Sequence, residues 1–254
     1  MRSKVNDLQK IRVGAVSYLN TKPLLYGIRR HEVMKEIELI EDYPANIAKM
    51  LINDTIDVGL IPVAVIPRLK EHHIITDYCI GADGAVASVC LFSEVPMEEI
   101  KTVYLDYQSR TSVALAKLLL RDYWKKDVTF VDAKGEEYRD KISGSVAGVV
   151  IGDRALKQRL LSPFIYDLAE AWKAWTGLPF VFAAWVSNKE LLTSFLTSFS
   201  DANALGIQNI EAVLLENHFE HYDLDTYYRK CISYELTDSK RIGLKRFLNL
   251  LQAN

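Results

Sequence analysis

Long apolar runs and paired cysteines are both missing from this sequence. No apolar run approaches the ~20 residues that a membrane-spanning helix requires, and no apolar segment follows the basic residues at positions 1–7. We therefore expect a cytoplasmic protein with no membrane partner and no export signal. The three cysteines are far apart and form no C-x-x-C pair, which indicates reduced structural thiols.

The common catalytic and cofactor motifs are also missing. The sequence has no G-x-x-x-x-G-K-[ST], G-x-G-x-x-G, G-x-S-x-G or H-E-x-x-H pattern, which argues against nucleotide, serine-triad and zinc-protease chemistry. His218 and His221 have the spacing of metal ligands, but no cysteine or third histidine lies near them, so we expect no metal site. The net charge of −2 provides no basic surface for nucleic acid.

What the sequence does contain is a repeated alternation of strands and helices. Apolar runs at 11–16, 37–40, 56–61 and 74–80 alternate with helical segments, and a similar plan restarts at residue 103. This alternation predicts an α/β protein with largely parallel sheets. From Asn188 onward the pattern is amphipathic and helical, and we predict no strand there.

The order of these segments predicts two lobes joined by two crossings. We assign residues 1–92 and 186–254 to lobe one and residues 93–185 to lobe two. Two crossings form a hinge, and hinged lobes suit closure around a small ligand.

Two turns, one in each predicted lobe, are candidates for the ligand site. Both follow a strand and begin a helix, where the crevice of an open α/β sheet lies and where backbone N–H groups attract anions. Spacing alone also allows a plain helix-capping role for each turn, but two such turns facing each other favour an anion site. The candidate residues of these turns are Ser17, Tyr18, Asn20, Ser109, Arg110, Thr111 and Ser112.

Two further segments end near the same predicted cleft. Gly152 and Asp153 follow an apolar strand of lobe two, and Asp153 either lines the cleft or caps the next helix. Ser88 lies among small residues at the first crossing, where it either reaches the cleft or faces a neighbouring strand. The tryptophans at 172, 175 and 185 are assigned to the core.

Four segments together resemble the chorismate dehydratase family of the futalosine route to menaquinone. They are SYLNTKPL at 17–24, DYQSRTS at 106–112, IGDRAL at 151–156 and WKAWTGLPFVFA at 172–183. The resemblance implies a two-lobed, periplasmic-binding-protein-like type II fold and conversion of chorismate to 3-[(1-carboxyvinyl)oxy]benzoate and water, with no cofactor. It also implies that Asn20 and Ser88 are catalytic, while the other candidate residues bind the substrate.

Three alternatives share this fold. A non-catalytic binding protein for small anions would carry an export signal, and a transcription regulator would need a helix-turn-helix before the first strand. The sibling dihydroxynaphthoate synthase has a histidine base where this sequence has Gly152 and Asp153. Oligomeric state and the identity of the general base stay open at this stage.

Overall fold

The computed structural model describes residues 10–253. The interpretation of residues 1–7 as lacking an export signal lies outside the described residues. The strands are β1 Ile11–Val16, β2 Ile37–Asp42, β3 Val58–Pro62, β4 His73–Ala82, β5 Val89–Ser93, β6 Thr102–Leu105, β7 Thr129–Asp132, β8 Val146–Ile151, β9 Phe164–Asp167, β10 Phe180–Ser187 and β11 Ser233–Glu235. The helices are α1 Lys22–Arg30, α2 Pro44–Ile52, α3 Thr111–Leu118, α4 Asp153–Gln158, α5 Leu168–Thr176, α6 Thr193–Gln208, α7 Ile210–Glu216, α8 Leu224–Thr226 and α9 Asp238–Gln252.

Local sequence signals account for several helix ends. Prolines lie in the first turn of α1 and of α2, where the missing N–H group costs no hydrogen bond. Asp167 caps α5 by accepting from two backbone N–H groups, and Gly177 ends that helix in the left-handed conformation that favours glycine.

The strands form two mixed sheets. The first has the order β11-β4-β10-β3-β1-β2 and the second has the order β7-β6-β8-β5-β9. The pairs around β1 and β6 are parallel, as the alternating pattern predicts, whereas β5 and β10 pair antiparallel to their neighbours. The α/β class is confirmed, and the two sheets correspond to the two predicted lobes.

The strands next to the crossings lie in sheets other than those assigned from the sequence. With limits at 92 and 185, β5 falls in lobe one and most of β10 falls in lobe two. In the structure β5 pairs with β8 and β9, while β10 pairs with β3 and β4. The chain therefore passes between the sheets before β5 and again before β10. Both strands are apolar apart from a final serine, and such a run fits the interior of either sheet equally well.

The C-terminal part packs on the first sheet, as predicted, but it is not entirely helical. α6 contacts α1 and β4, and α9 contacts β10. α1 and α6 approach so closely that a Cβ at Gly27 would lie 1.9 Å from the carbonyl oxygen of Ala202. The prediction of no strand is wrong for Ser233–Glu235, which extends the sheet beside β4. Three residues are too few to show the alternation of apolar and polar side chains that marks a strand in the sequence.

Trp172 and Trp185 lie in the core, as predicted, and Trp175 is partly buried against it. Trp172 and Trp185 are fully buried, and Trp172 meets the rings of Phe180 and Phe247 edge to face at 5.3 and 6.1 Å. These contacts join α5, β10 and α9. Within residues 10–253, no helix has both the length and the apolar character needed to cross a membrane.

Candidate functional site between the two sheets

A cavity of about 60 Å³ lies where β1 and β3 of the first sheet face β8 and the start of α3 in the second. Apolar side chains form most of its wall, and hydroxyl and amide groups supply the polar part. In the described part of the chain, no Asp, Glu, Lys, Arg or His lines it. The lining residues are Val16, Tyr18, Asn20, Thr21, Pro44, Leu60, Pro62, Ile80, Val86, Ser88, Val89, Ser109, Thr111, Ser112, Ile151, Gly152, Phe182 and Ala183.

Seven of the ten candidate residues meet at this cavity. The two predicted turns face each other across it, and the first crossing contributes its serine. These lining residues are Tyr18, Asn20, Ser88, Ser109, Thr111, Ser112 and Gly152.

Ser17 and Arg110 do not line the cavity, in contrast to our expectation. Both are exposed. At the end of β1 the side chains alternate, so that Val16 and Tyr18 face the cavity and Ser17 faces solvent. Arg110 occupies the N-cap position of α3 without a side-chain capping bond.

Asp153 also lies outside the cavity lining. Its Oδ1 accepts a hydrogen bond from the backbone N–H of Leu19 at 3.0 Å. Burial raises the pKa of Asp153, although the Leu19 N–H group and Lys22 oppose this shift. The carboxylate therefore joins the two lobes beside the cavity. Asp153 neither lines the cavity nor caps a helix, which were the two roles considered from the sequence.

Two more contacts connect the sheets around the cavity. The hydroxyl of Tyr18 donates to the side-chain oxygen of Gln108, and the backbone N–H of Ala64 donates to Thr111 Oγ1 at 3.1 Å. Together with the Leu19–Asp153 contact, these bonds hold the two lobes together around the cavity.

Gly152 permits the close approach of the lobes. Its backbone has φ 63° and ψ −148°, a region that is essentially restricted to glycine. A Cβ at this position would lie 3.1 Å from the ring of Tyr18. Glycine therefore meets both a conformational and a steric requirement here.

Ser88 is fixed by a tight turn at the first crossing. Its N–H bonds to the carbonyl of Val86 at 2.8 Å, and its own carbonyl accepts the N–H of Gly152 at 2.8 Å. Ala87 between them has φ 63°, an uncommon conformation for a residue with a Cβ. Backbone strain of this kind concentrates at functional sites.

A single buried carboxylate ties the two crossings together. Asp167 Oδ2 accepts the N–H groups of Val86 and Ala87 at 2.9 and 2.7 Å. Its other oxygen accepts those of Ala169 and Glu170 at the start of α5. Asp167 therefore fixes the turn that carries Ser88 relative to the start of α5.

Asn20 does not cap a helix. The N-cap of α1 is Thr21, and the short helical turn before it begins after Tyr18. Asn20 Oδ1 accepts the Thr21 hydroxyl at 3.1 Å, and the Asn20 carbonyl accepts the hydroxyl of Tyr234 at 2.9 Å. Within residues 10–253, its side-chain nitrogen has no hydrogen-bond partner, so this group is available to a ligand.

A buried charged network under Tyr18 was not anticipated from the sequence. Arg154 donates to Gln108, Asp106 and Glu136, each at 2.9 Å. This arrangement fixes the Gln108 oxygen that accepts from Tyr18. Burial raises the pKa of the Tyr18 phenol, so Tyr18 stays neutral. Arg154 is part of the IGDRAL segment, but its partners lie up to 48 residues away, beyond the reach of local patterns.

Metal ligation finds no support in the described part of the chain. No group of three or more His, Cys, Asp or Glu side chains lies close enough to hold an ion. His218 and His221 follow α7 in an irregular segment.

Two sheets that face each other across a cavity form a periplasmic-binding-protein-like fold. Solved structures share this fold. Protein AF1704 from Archaeoglobus fulgidus aligns with a TM-score of 0.76 at 16% identity, covering 96% of this chain and 97% of that one. The Candida albicans CA3427 product, described as having the generic periplasmic binding protein fold, aligns with a TM-score of 0.65 at 13% identity, covering 97% and 91%.

The sequence matches the family described as "Menaquinone biosynthesis" over residues 11–253, and the chain belongs to this family. Two relatives are chorismate dehydratases. That of Campylobacter jejuni is 28% identical over 252 residues, covering 94% of this chain and 97% of the relative. That of Thermus thermophilus is 27% identical over 270 residues, covering 94% of each chain.

Proposed function

We propose that this protein is a chorismate dehydratase, a carbon–oxygen lyase that converts chorismate to 3-[(1-carboxyvinyl)oxy]benzoate and water. The proposal is supported by family membership and by the two relatives. The structural observation that carries it is the meeting of Asn20 and Ser88 at one cavity whose polar groups are hydroxyls and amides. Cytoplasmic location is part of the proposal and is tested by cell fractionation.

The reaction requires little acid–base catalysis by the protein. The C3–H bond and the C4–O bond of chorismate break, the ring becomes aromatic, and the proton and hydroxide leave together as water. Because aromatisation drives the reaction, the protein needs to bind two carboxylates, fix the conformer and stabilise the departing hydroxide.

The lining of the cavity bears on the identity of the base. Among residues 10–253, no carboxylate, imidazole or amine side chain lines the cavity. The substrate's own enolpyruvyl carboxylate lies close to C3 and takes the proton in our proposal. Asn20 orients that carboxylate through its unpaired side-chain nitrogen.

The substrate's negative charge is held by neutral donors at a helix start. Ser109, Thr111 and Ser112 line the cavity around the start of α3, where the helix dipole favours an anion. Ser109 Oγ also accepts the backbone N–H of Ser112 at 3.0 Å. In this proposal these three residues hold the second carboxylate, and Ser88 donates to a carboxylate or to the leaving hydroxyl.

The proposal is tested by incubating the purified protein with chorismate. We expect a new aromatic absorbance and a product lighter than chorismate by one water in mass spectrometry. A Ser88→Ala variant, which removes one cavity hydroxyl while it keeps the turn, should convert chorismate more slowly than the parent. Saturable binding of chorismate without product would contradict the enzyme assignment and would indicate a binding protein for small anions.

A further inference from the structure

A buried tyrosine lies behind Ser88. Tyr227 Oη is 2.7 Å from Ser88 Oγ, and both residues are fully buried. Ser88 lines the cavity but Tyr227 does not, so this contact joins the cavity wall to the core. Tyr227 begins the π-helical turn Tyr227–Cys231 that follows α8, and turns of this type are frequent at functional sites.

The surroundings of Tyr227 decide which oxygen donates. Its ring packs against those of Tyr222 and Tyr228 at centroid distances of 6.0 and 5.8 Å. Among the residues described, Ser88 Oγ is the single hydrogen-bond partner of the Tyr227 hydroxyl. Burial raises the pKa of Tyr227 well above its ordinary value, so the phenol keeps its proton. Because an unpaired buried hydroxyl proton is costly, Tyr227 donates to Ser88.

We propose that Tyr227 is a positioning residue that makes Ser88 a hydrogen-bond donor toward the cavity. The Ser88 oxygen accepts a hydrogen bond from the Tyr227 hydroxyl. The serine's own hydroxyl proton is then free to donate a hydrogen bond to an oxygen of the ligand. The backbone of Ser88 is held by Val86 and Gly152, so its hydroxyl cannot relocate by a backbone shift. The inference rests on the proposed function, which identifies that ligand oxygen as a carboxylate or the departing hydroxyl of chorismate.

The chain offers a matched control one residue away. Tyr228 lies in the same turn and is 2% exposed. Within residues 10–253, its hydroxyl has no hydrogen-bond partner. Tyr228→Phe therefore removes the same atom from the same turn without changing any bond to Ser88.

The test is a double-mutant cycle on kcat/KM for chorismate with Tyr227→Phe, Ser88→Ala and the double variant. We expect Tyr227→Phe to lower kcat/KM about tenfold in the parent and less than twofold when Ser88 is already alanine, because the effect passes through Ser88. Tyr228→Phe keeps the parent value. Thermal melting checks that each variant is folded.

A merely structural role for Tyr227 gives a different pattern. Equal losses with and without the Ser88 hydroxyl would overturn the inference, and so would a Tyr227→Phe variant with the parent kcat/KM. If Tyr228→Phe lost as much activity as Tyr227→Phe, the inference would also be contradicted, because the loss would then come from a disturbed turn and not from the bond to Ser88.

Failure of the proposed function is distinguished by a binding cycle. If the parent protein does not convert chorismate, the same four proteins are titrated with 3-(carboxymethoxy)benzoate, an unreactive dicarboxylate, by calorimetry. A tenfold weaker Kd in Tyr227→Phe that vanishes with Ser88→Ala supports the positioning role without the reaction. Equal weakening in both backgrounds, or no binding by the parent, overturns it.

Discussion

Replacing Gly152 by alanine tests the closed geometry of the cavity most directly. The added Cβ meets two obstacles. The backbone at φ 63° and ψ −148° is unfavourable for any residue with a Cβ, at a cost of about 1–3 kcal/mol. The same Cβ would lie 3.1 Å from the Tyr18 ring, so the ring has to move by a few tenths of an ångström.

The two obstacles have different consequences for function. The conformational cost of the backbone applies whether the lobes are open or closed. The clash with Tyr18 arises only when the lobes meet. A displaced Tyr18 weakens the bond to Gln108, which is worth about 1 kcal/mol. We therefore expect Gly152→Ala to lower Tm by roughly 2–10 °C and to lower kcat/KM for chorismate about tenfold or more.

Gly144→Ala is the matched control. Gly144 also has a positive φ, at 53°, but a Cβ there has no atom within 4 Å. The Gly144→Ala substitution should reduce Tm in differential scanning calorimetry without a change in the turnover of chorismate. A Gly152→Ala protein with parental Tm and parental kcat/KM would refute the close-approach argument.

Three further predictions concern Asn20, Tyr234 and Asp57. Asn20→Asp places a negative charge beside an anionic substrate, so we expect kcat to fall by about two to three orders of magnitude or more (about 3–4 kcal/mol or more); a near-native kcat in steady-state assays would remove Asn20 from the mechanism. Tyr234→Phe deletes the 2.9 Å bond to the Asn20 carbonyl and should cost about 1 kcal/mol of unfolding free energy in urea titrations, with a several-fold lower kcat; an unchanged kcat would contradict the link. Burial alone would raise the pKa of Asp57, but its bonds to Arg12 and Lys189 hold it well below the usual value. The ionised form is thus favoured in the folded state, and this stability is present above the unfolded pKa near 4 and is lost as pH falls below it. Asp57→Asn should therefore destabilise the protein by about 2 kcal/mol at pH 7 and progressively less below pH 4; a penalty independent of pH would exclude the charge as its source.

Local patterns were sufficient for much of the fold. The apolar run of β1 and the proline in the first turn of α1 predict a strand-to-helix turn, and the structure has one there. The hydroxyl-rich turn before α3 is equally visible in sequence. Both signals depend on neighbours within one helical turn or one strand, which is the range over which side-chain periodicity operates.

The partners of the site residues were beyond that range. Tyr227 meets Ser88 across 139 positions, and Tyr234 meets Asn20 across 214. Both tyrosines come from the C-terminal segment, which was predicted to be helical. A tyrosine in such a segment has the same local pattern whether it packs in a core or supports a cavity wall.

The sequence alone determined the α/β class, the two turns at opposite strand ends and the family resemblance that named Asn20 and Ser88. The tertiary structure decided which sheet β5 and β10 join, moved Asp153 from the cavity to the contact between the lobes, and left Ser17 and Arg110 in solvent. The physical reason is that backbone periodicity and capping are short-range. Sheet pairing and lobe contact depend instead on burial and hydrogen bonding between segments that meet only after the chain has folded.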